Sequence, residues 1–223
     1  MAHSIKDFRD LTGPQQKLLE RLERTPQFTE HFYFTGGTLL KALGIVPRES
    51  NDLDFFTFPE TDGRTYMAAI GVVRDLLQST FGERSVVTTE RGFLLSETGM
   101  VIECIYDIVP AIDDCSSFGN LRTSSLKDLA ANKAAAFCVR DEVKDYVDIA
   151  FLTKREGWLL SDLADLAEKR FRLGTINEKK LLMELLHKRE MLTIPSSIFL
   201  RDPARNLALV EKQITYLLDH VTL

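Results

Sequence analysis

Two aspartates, Asp52 and Asp54, stand where the surrounding residues predict a β-strand. Residues i and i+2 of a strand point to the same side, so their carboxylates would lie about 7 Å apart at ~3.3 Å per residue. Leu53, Phe55 and Phe56 flank them, and like charges beside apolar residues repel each other and lose hydration. Mg²⁺ removes that cost and prefers carboxylate and phosphate oxygens. The spacing therefore predicts a two-metal site; the alternative is a pair of solvated residues at a strand end.

A third carboxylate usually completes such a site, and the predicted strand 100–109 offers two candidates. Glu103 would lie in mid-strand on the same face as Val101 and Ile105. An acid is unusual among apolar residues unless it has a function there. Asp107 lies near the strand end, where solvation explains it. We expect Glu103 to be the third metal ligand and keep Asp107 as the alternative.

A glycine turn precedes the aspartates by about 15 positions in the printed sequence. A short strand over 32–34 runs into Gly36-Gly37, and a helix is predicted to begin at once. Glycines let a backbone come close to a ligand, and the free amides at a helix start point toward an anion such as a triphosphate. Thr38 adds a hydroxyl donor. The alternative is a turn without a ligand.

Three further charged residues each have a functional and a structural interpretation. Lys133 lies in an alanine-rich helix, from which it could reach into a cleft; the alternative is a side chain that extends to solvent. Asp148 is an acid inside an apolar helix, and a structural partner for it would be Arg140 or Lys144. Arg48 is either a phosphate contact or an ordinary loop cation.

The elements that must position these residues follow from periodicity and turn signals. Helices are predicted from Gly13-Pro14, over 38–43 and over 66–80, and strands over 32–34, 53–58, 85–89, 93–96 and 100–109. Residues 111–120 are small and polar and are interpreted as a linker. After Ser124-Ser125 the chain is predicted to be helical almost to its end, with helix starts at Asn177 and Asp202-Pro203.

The motif blocks resemble those of the AbiEii/AbiGii toxin family, a branch of the DNA polymerase β-like nucleotidyltransferases. The first block is Gly36-Gly37-Thr38 followed by the RxSxDLDFF run of residues 48–56. The second comprises residues 133–140 and 144–152, with a Lys, an Arg and then a KDxxD run in the family's order. The resemblance covers roughly residues 14–155, and the rest matches only as helical.

The resemblance implies a role for each residue that matches a family motif. The expected nucleotide-binding residues are Gly36, Gly37, Thr38, Ser50 and Lys133, with Arg48 as a possible phosphate contact. Asp52 and Asp54 would bind two Mg²⁺ ions, Lys133 would contact the triphosphate, and Asp148 would be a late acid needed for activity. This chain departs from the pattern at the third metal acid, where the family fold commonly has Asp and the best candidate is Glu103.

The same resemblance implies the fold and the reaction. The expected class is α+β: a minimal nucleotidyltransferase core with an N-terminal helix in residues 1–112, then an all-helical part in 113–223 that contributes Lys133 and Asp148. Family members are toxins of type IV toxin–antitoxin or abortive-infection systems, and some add nucleotides to the 3′ end of tRNA. The implied substrates are an NTP and an RNA acceptor, and the implied partner is an antitoxin encoded nearby.

Composition excludes several classes of protein. With 44% hydrophobic residues the chain can form a core, and a net charge of −5 argues against a generally basic nucleic-acid binder. The acidic excess lies within residues 1–112. No apolar run approaches the ~20 residues of a membrane span, and the N-terminus lacks a signal-peptide core. Three cysteines without pair spacing favour reduced thiols in a cytoplasm.

Two other readings share these motifs. The acceptor could be a small molecule, such as an aminoglycoside, or another protein, because the metal site and the chemistry would be identical. An acidic cleft would favour a cationic small molecule, and basic residues at the cleft would favour RNA. A degenerate member that binds NTP without turnover is the remaining alternative. Intact glycines, aspartates and Lys133 argue against degeneration.

Overall fold

The computed structural model describes residues 4–221, which fall into two compact units. The first unit holds the residues up to Gly44, Ser50–Pro110 and Asp114–Ser125; the second holds Ile45–Glu49, Ala111–Asp113 and the residues from Leu126 onward. The bounds differ from a single division at residue 112. Residues 45–49 and 111–112 belong to the second unit, and residues 114–125 belong to the first.

The first unit is a mixed sheet with helices. Its helices are α1 (Gly13–Leu22), α2 (Pro26–Thr29), α3 (Gly36–Ala42) and α4 (Gly63–Phe81). Its strands are β1 (Phe32–Thr35), β2 (Leu53–Thr57), β3 (Val86–Thr88), β4 (Gly92–Leu95), β5 (Met100–Ile105), β6 (Ser116–Phe118) and β7 (Leu121–Thr123). The sheet order is β3-β4-β5-β2-β1-β7-β6, with β2–β5 and β1–β7 parallel and the other pairs antiparallel.

The two faces of the sheet differ in their exposure to solvent. Buried and half-buried residues alternate along β2 and along β5, as the period-two geometry of a strand requires. Phe55 and Ile102 lie on the buried face, where the Phe55 ring packs against the ring of Phe28 from α2 at 4.9 Å between centroids. Asp54 and Glu103 lie on the half-exposed face.

The predicted linker over residues 111–120 is wrong from Ser116 onward. Strands β6 and β7 form an antiparallel hairpin, with Phe118 paired to Leu121 across a Gly119-Asn120 turn, and β7 then pairs with β1. Gly119 has φ +62°, which favours glycine. The strands escaped prediction because each has only three residues and β6 begins with two serines. Strand β5 likewise ends at Ile105 rather than near residue 109.

The second unit is built mainly of helices. They are α5 (Leu126–Phe137), α6 (Val143–Glu156), α7 (Leu160–Phe171), α8 (Glu178–Met191) and α9 (Pro203–Asp219). Asn177 caps α8 by accepting a hydrogen bond from the Lys180 N–H at 2.9 Å, so that predicted helix start is confirmed. The α+β class is confirmed as well. Within residues 4–221, no helix combines the length and the apolar character that crossing a bilayer requires.

Short backbone segments complete this unit. The Glu49 N–H donates to the Ile198 carbonyl at 2.8 Å, and the Leu200 N–H donates to the Pro47 carbonyl at 3.0 Å. The Ile112 N–H donates to the carboxylate of Asp128 at 2.8 Å. These bonds explain why residues 45–49 and 111–113 belong to the helical unit.

Candidate active site

Asp54 and Glu103 are paired residues of two parallel strands. The β2–β5 register places the Asp54 Cα opposite the Glu103 Cα, so both side chains emerge on the half-exposed face. Asp52 is half-buried and lies one residue before β2 begins. The expected strand around Asp54 is therefore confirmed, and the register brings one candidate third acid beside it.

Asp107 lies elsewhere. It follows the end of β5, and its backbone N–H donates to the Thr57 hydroxyl at 2.8 Å, three residues beyond Asp54 along β2. Its carboxylate accepts the Val109 N–H at 3.0 Å and lies 3.4 Å from the Tyr33 hydroxyl. Of the two alternatives for a third acid, Glu103 is the one adjacent to Asp54.

The donor set suits Mg²⁺ in its chemistry. Asp52, Asp54 and Glu103 supply only carboxylate oxygens, the ligands that this hard cation prefers. Their side chains do not yet converge: among residues 4–221, no three His, Cys, Asp or Glu side chains are grouped closely enough to hold a metal ion. The backbone thus pairs two of the three acids and leaves the third on the adjoining loop.

The negative charge of this pair acts on a neighbouring thiol. Cys104 is fully buried on the opposite face of β5, and burial raises the pKa of its thiol far above the usual range. The carboxylates of Glu103 and Asp54 raise that pKa further. Cys104 is therefore a neutral, inert core residue.

Gly36 lies directly against Asp54. Thr35 pairs with Asp54 across the antiparallel β1–β2 register, and Gly36 then turns the chain with φ +79°. A Cβ built on Gly36 would overlap the Asp54 carboxylate and lie 2.6 Å from its Cγ. Glycine is thus required at position 36 both by the backbone conformation and by the carboxylate beside it.

Three buried side chains make hydrogen bonds to the loop that carries Asp52. Thr38 Oγ1 lies 2.8 Å from Ser50 Oγ and contacts the Asp52 carbonyl oxygen. Lys41 Nζ donates to the Ser50 carbonyl at 2.7 Å. Gln15 Nε2 donates to the carbonyls of Ser50 and Asn51, each at 3.0 Å. These contacts position the Asp52 backbone.

The contacts bear on the predicted phosphate ligands. Thr38 is fully buried, and its hydroxyl faces Ser50 and the Asp52 backbone. Gly37 is buried in the first turn of α3. In this structure Thr38 and Ser50 therefore support the loop, and their binding to phosphate stays a prediction.

The second unit contains a buried ion cluster. Arg48 Nε and Nη2 donate to the two carboxylate oxygens of Asp148, each at 2.6 Å. Lys133 Nζ lies 2.7 Å from Asp148 and 3.0 Å from Asp145. Arg140 adds bonds of 2.5 and 3.0 Å to Asp145. We call these five residues the Asp148 cluster; it carries three positive and two negative charges.

This cluster corrects three sequence-based alternatives. Lys133 does not extend to solvent: it is only 7% exposed and is paired with two carboxylates. The ionic partners of Asp148 are Arg48 and Lys133 rather than Arg140 or Lys144. Arg48 is likewise no ordinary loop cation, because its guanidinium is buried against Asp148.

The protonation states follow from this mutual compensation. Burial alone would raise the pKa of Asp148, but the charges of Lys133 and Arg48 outweigh it and hold that pKa below its usual value. Burial alone would lower the pKa of Lys133, but the carboxylates of Asp148 and Asp145 outweigh it and hold that pKa above its usual value. Asp148 and Lys133 are therefore both charged at neutral pH.

Asp145, Gln15 and Lys41 contribute to these arrangements and were not predicted as site residues. Asp145 precedes Asp148 by three positions, a spacing that puts both acids on one face of α6 and could have been recognised. Gln15 and Lys41 had no such signal, because their partners are backbone carbonyls of a loop distant in sequence.

The chain has similarity to known proteins over most of its length. The family model described as "Nucleotidyl transferase AbiEii toxin, Type IV TA system" matches residues 17–213. The uncharacterized protein aq_aa25 of Aquifex aeolicus (strain VF5) is 30% identical over 169 residues, which is 74% of this chain and 77% of that protein.

Solved structures from Helicobacter pylori share the fold. JHP933 superposes with a TM-score of 0.51 at 16% identity and covers 94% of each chain. A second structure, described as "putative nucleotidyltransferase from H. pylori", has the same TM-score and identity and covers 94% of this chain and 96% of that chain. The predicted nucleotidyltransferase fold is therefore confirmed.

Proposed function

Because the chain belongs to the AbiEii family of nucleotidyl transferase toxins from type IV toxin–antitoxin systems, we propose that it transfers an NMP from an NTP to the 3′ end of RNA, with tRNA as the expected acceptor. Family membership makes the chain a nucleotidyltransferase and implies an antitoxin partner. The magnesium dependence and the RNA acceptor are the parts that we propose.

The pairing of Asp54 with Glu103 carries the proposal of a metal site. Two carboxylates on adjacent strands repel each other, half-burial strengthens that repulsion, and a divalent cation between them would offset it. We assign Asp52, Asp54 and Glu103 as the residues that hold Mg²⁺. Bound Mg²⁺ would activate the attacking hydroxyl and neutralise the leaving pyrophosphate.

The residues around these acids position them. Gly36 lets the backbone approach the Asp54 carboxylate, and the Thr38, Lys41 and Gln15 contacts fix the loop on which Asp52 is mounted. Fixed geometry matters because catalysis by positioning is lost when a reacting group moves by as little as ~1 Å. Gly36, Gly37, Thr38 and Ser50 remain our proposed phosphate neighbours.

The Asp148 cluster is proposed to serve the triphosphate. Asp148 holds both Lys133 and Arg48 in place through ion pairs of 2.7 and 2.6 Å. The family resemblance assigns Lys133 as the triphosphate contact and Asp148 as an acid required for activity. We propose that Asp148 acts by orienting Lys133 and Arg48.

The reaction that these residues would support is an in-line displacement. The oxygen of the acceptor 3′ hydroxyl attacks the α-phosphorus of the NTP, and the bond from that phosphorus to the bridging oxygen of the β-phosphate breaks. Pyrophosphate leaves with the electron pair, and the hydroxyl proton passes to solvent. The RNA gains one nucleotide.

One observation favours a second class of acceptor. The acidic excess of the chain, which has a net charge of −5, lies within residues 1–112, and a negative surface would attract a cationic small molecule more than RNA. An aminoglycoside is the natural probe of this alternative.

Label transfer distinguishes the acceptors. The protein is incubated with Mg²⁺ and each NTP labelled at the α-phosphate, and the acceptor is total tRNA or an aminoglycoside. The Asp52→Ala/Asp54→Ala variant serves as the control. Label in tRNA with the unaltered chain alone supports the proposal and names the nucleotide. Label in the aminoglycoside alone would contradict the RNA proposal and identify a small molecule as the acceptor.

A further inference from the structure

The sheet face that carries Asp54 continues into a group of aromatic rings. Phe56 follows Asp54 by two positions on the same face of β2 and is half-buried. The ring of Tyr33 from β1 lies 6.1 Å from that of Phe56 and 5.4 Å from that of Phe58, which is also half-buried. The rings thus extend along the strand from the proposed metal site.

An arginine side chain lies next to these aromatic rings. Strand β7 pairs in parallel with β1, and the register places Arg122 beside Tyr33. The exposed Arg122 guanidinium lies over the Phe58 ring, with its Cζ 5.8 Å from the ring centroid. We call Phe56, Phe58 and Arg122, with Tyr33 beneath them, the aromatic platform.

The two faces of β2 differ in exposure and in composition. The opposite face of β2 buries Phe55 completely, whereas the platform leaves two phenylalanine rings partly exposed beside a charged side chain. Aromatic rings on a half-open sheet, with a guanidinium among them, form a surface on which nucleobases stack. The arginine adds cation–π stacking and a charge for a phosphate.

We propose that the bases at the 3′ end of the RNA acceptor stack on the aromatic platform, an inference that rests on the proposed function. Along the strand, Phe56 and Phe58 lie about 7 and 13 Å beyond Asp54 at ~3.3 Å per residue. Stacked nucleotides rise ~3.4 Å each, so a 3′ hydroxyl at Asp54 leaves the last few bases within reach of the rings.

The strand register favours the acceptor over the NTP as the platform's ligand. Strand β1 runs antiparallel to β2, with Thr35 opposite Asp54 and Tyr33 opposite Phe56. The Gly36 turn, where we place the NTP phosphates, therefore lies on one side of Asp54 and the platform lies on the other. Such an arrangement fits a donor and an acceptor that meet at the carboxylates.

Binding of a single-stranded oligoribonucleotide tests the platform without catalysis. Fluorescence anisotropy of the full chain is measured with a labelled oligoribonucleotide and with an abasic strand of equal length, in the absence of NTP. Phe56→Ala and Phe58→Ala should each weaken binding of the normal strand roughly 5- to 100-fold and leave abasic binding unchanged, because only stacking is lost. Phe58→Trp should keep the affinity.

Phe81→Ala provides the matched control. Phe81 is a half-buried ring at the end of α4 with the Lys17 ammonium 5.3 Å from its centroid, so it reproduces the ring–cation pair away from the sheet face. This variant should bind both strands like the unaltered chain. Equal losses in Phe81→Ala and Phe58→Ala would overturn the platform.

Further outcomes separate this inference from the proposed function. Base-dependent binding that persists in Asp54→Asn, when label transfer is lost, supports the platform. If tRNA is labelled and yet the phenylalanine variants bind RNA normally, the platform is wrong and the function stands. Weaker NTP binding with unchanged RNA binding would assign the rings to the donor base. No oligoribonucleotide binding by the unaltered chain would also refute the platform.

Discussion

Arg48 holds both carboxylate oxygens of Asp148 through two hydrogen bonds of 2.6 Å, although 100 positions separate the two residues. The pair is almost wholly buried, with side-chain exposures of 3% and 0%. A planar guanidinium suits this two-point contact, which a lysine cannot reproduce. Substitutions in this pair should therefore change the free energy of unfolding.

Arg48→Ala should destabilise the protein by ~3–5 kcal/mol, because it removes the two-point guanidinium contact from the buried Asp148 carboxylate and leaves the contact with Lys133. Arg48→Lys should fall between this variant and the unaltered chain. Urea unfolding followed by circular dichroism measures the effect. Arg74→Ala is the control, since its exposed pair with Asp75 at 3.4 Å should contribute less than ~1 kcal/mol. An equal effect of both alanine variants would contradict the structure.

The decline of the free energy of unfolding at low pH should also depend on the Asp148 cluster. The folded-state pKa values of Asp148 and Asp145 are held below their usual values. Their stabilisation is therefore full above the unfolded pKa of about 3.9 and is lost as the pH falls through the lower folded values. Unfolding free energy measured against pH should decline below pH ~4, and less steeply in Asp148→Asn. An identical slope in both proteins would refute the assignment.

The contribution of Lys133 to the free energy of unfolding should show the opposite dependence on pH, with a loss at high pH. Its folded-state pKa is raised, so its contribution is full below the unfolded pKa of about 10.4 and is lost as the pH rises through the folded value. Lys133→Met should remove this alkaline loss from the stability profile. An alkaline decline that is unchanged in Lys133→Met would assign it to other groups.

Gly36→Ala tests the contact with Asp54. The new methyl would overlap the Asp54 carboxylate and would require φ +79° of a residue with a Cβ. We expect nucleotidyl transfer to fall on the order of 100-fold, because displacement of a metal ligand removes catalysis by positioning. Gly99→Ala is the matched control: Gly99 has φ +65°, and among residues 4–221 no atom other than those of its chain neighbours lies within 4 Å of an added Cβ.

Both glycine variants should lose ~1–2 kcal/mol of stability from the left-handed backbone alone. Only Gly36→Ala should lose activity beyond the fraction that unfolds. Equal activities per folded molecule would show that the Gly36–Asp54 contact has no catalytic consequence.

Local patterns in the sequence were sufficient to predict the strand that carries Asp54, because an acid–apolar alternation bounded by Pro59 has few other interpretations. They also located Asn177 as a helix start, since capping depends only on neighbouring residues.

Long-range pairs could not be predicted in this way. Proximity along the chain favours Arg140 or Lys144 as the partner of Asp148, whereas the observed Arg48 precedes it by 100 positions. The β6–β7 hairpin consists of strands too short and too polar to show a period. No local signal predicts the contact of the Thr38 hydroxyl with the Asp52 carbonyl either.

Label transfer by the unaltered chain, Asp54→Asn, Glu103→Gln and Asp107→Asn tests the central claim most directly. Each protein receives tRNA and α-phosphate-labelled NTPs over a range of Mg²⁺ concentrations, with a chelator as the blank. Our account predicts activity that requires Mg²⁺, is abolished in Asp54→Asn and needs far more Mg²⁺ in Glu103→Gln. Asp107→Asn should keep the Mg²⁺ dependence, because Asp107 lies apart from Asp54. Activity that persists with chelator, or in Asp54→Asn, would contradict the proposed metal site.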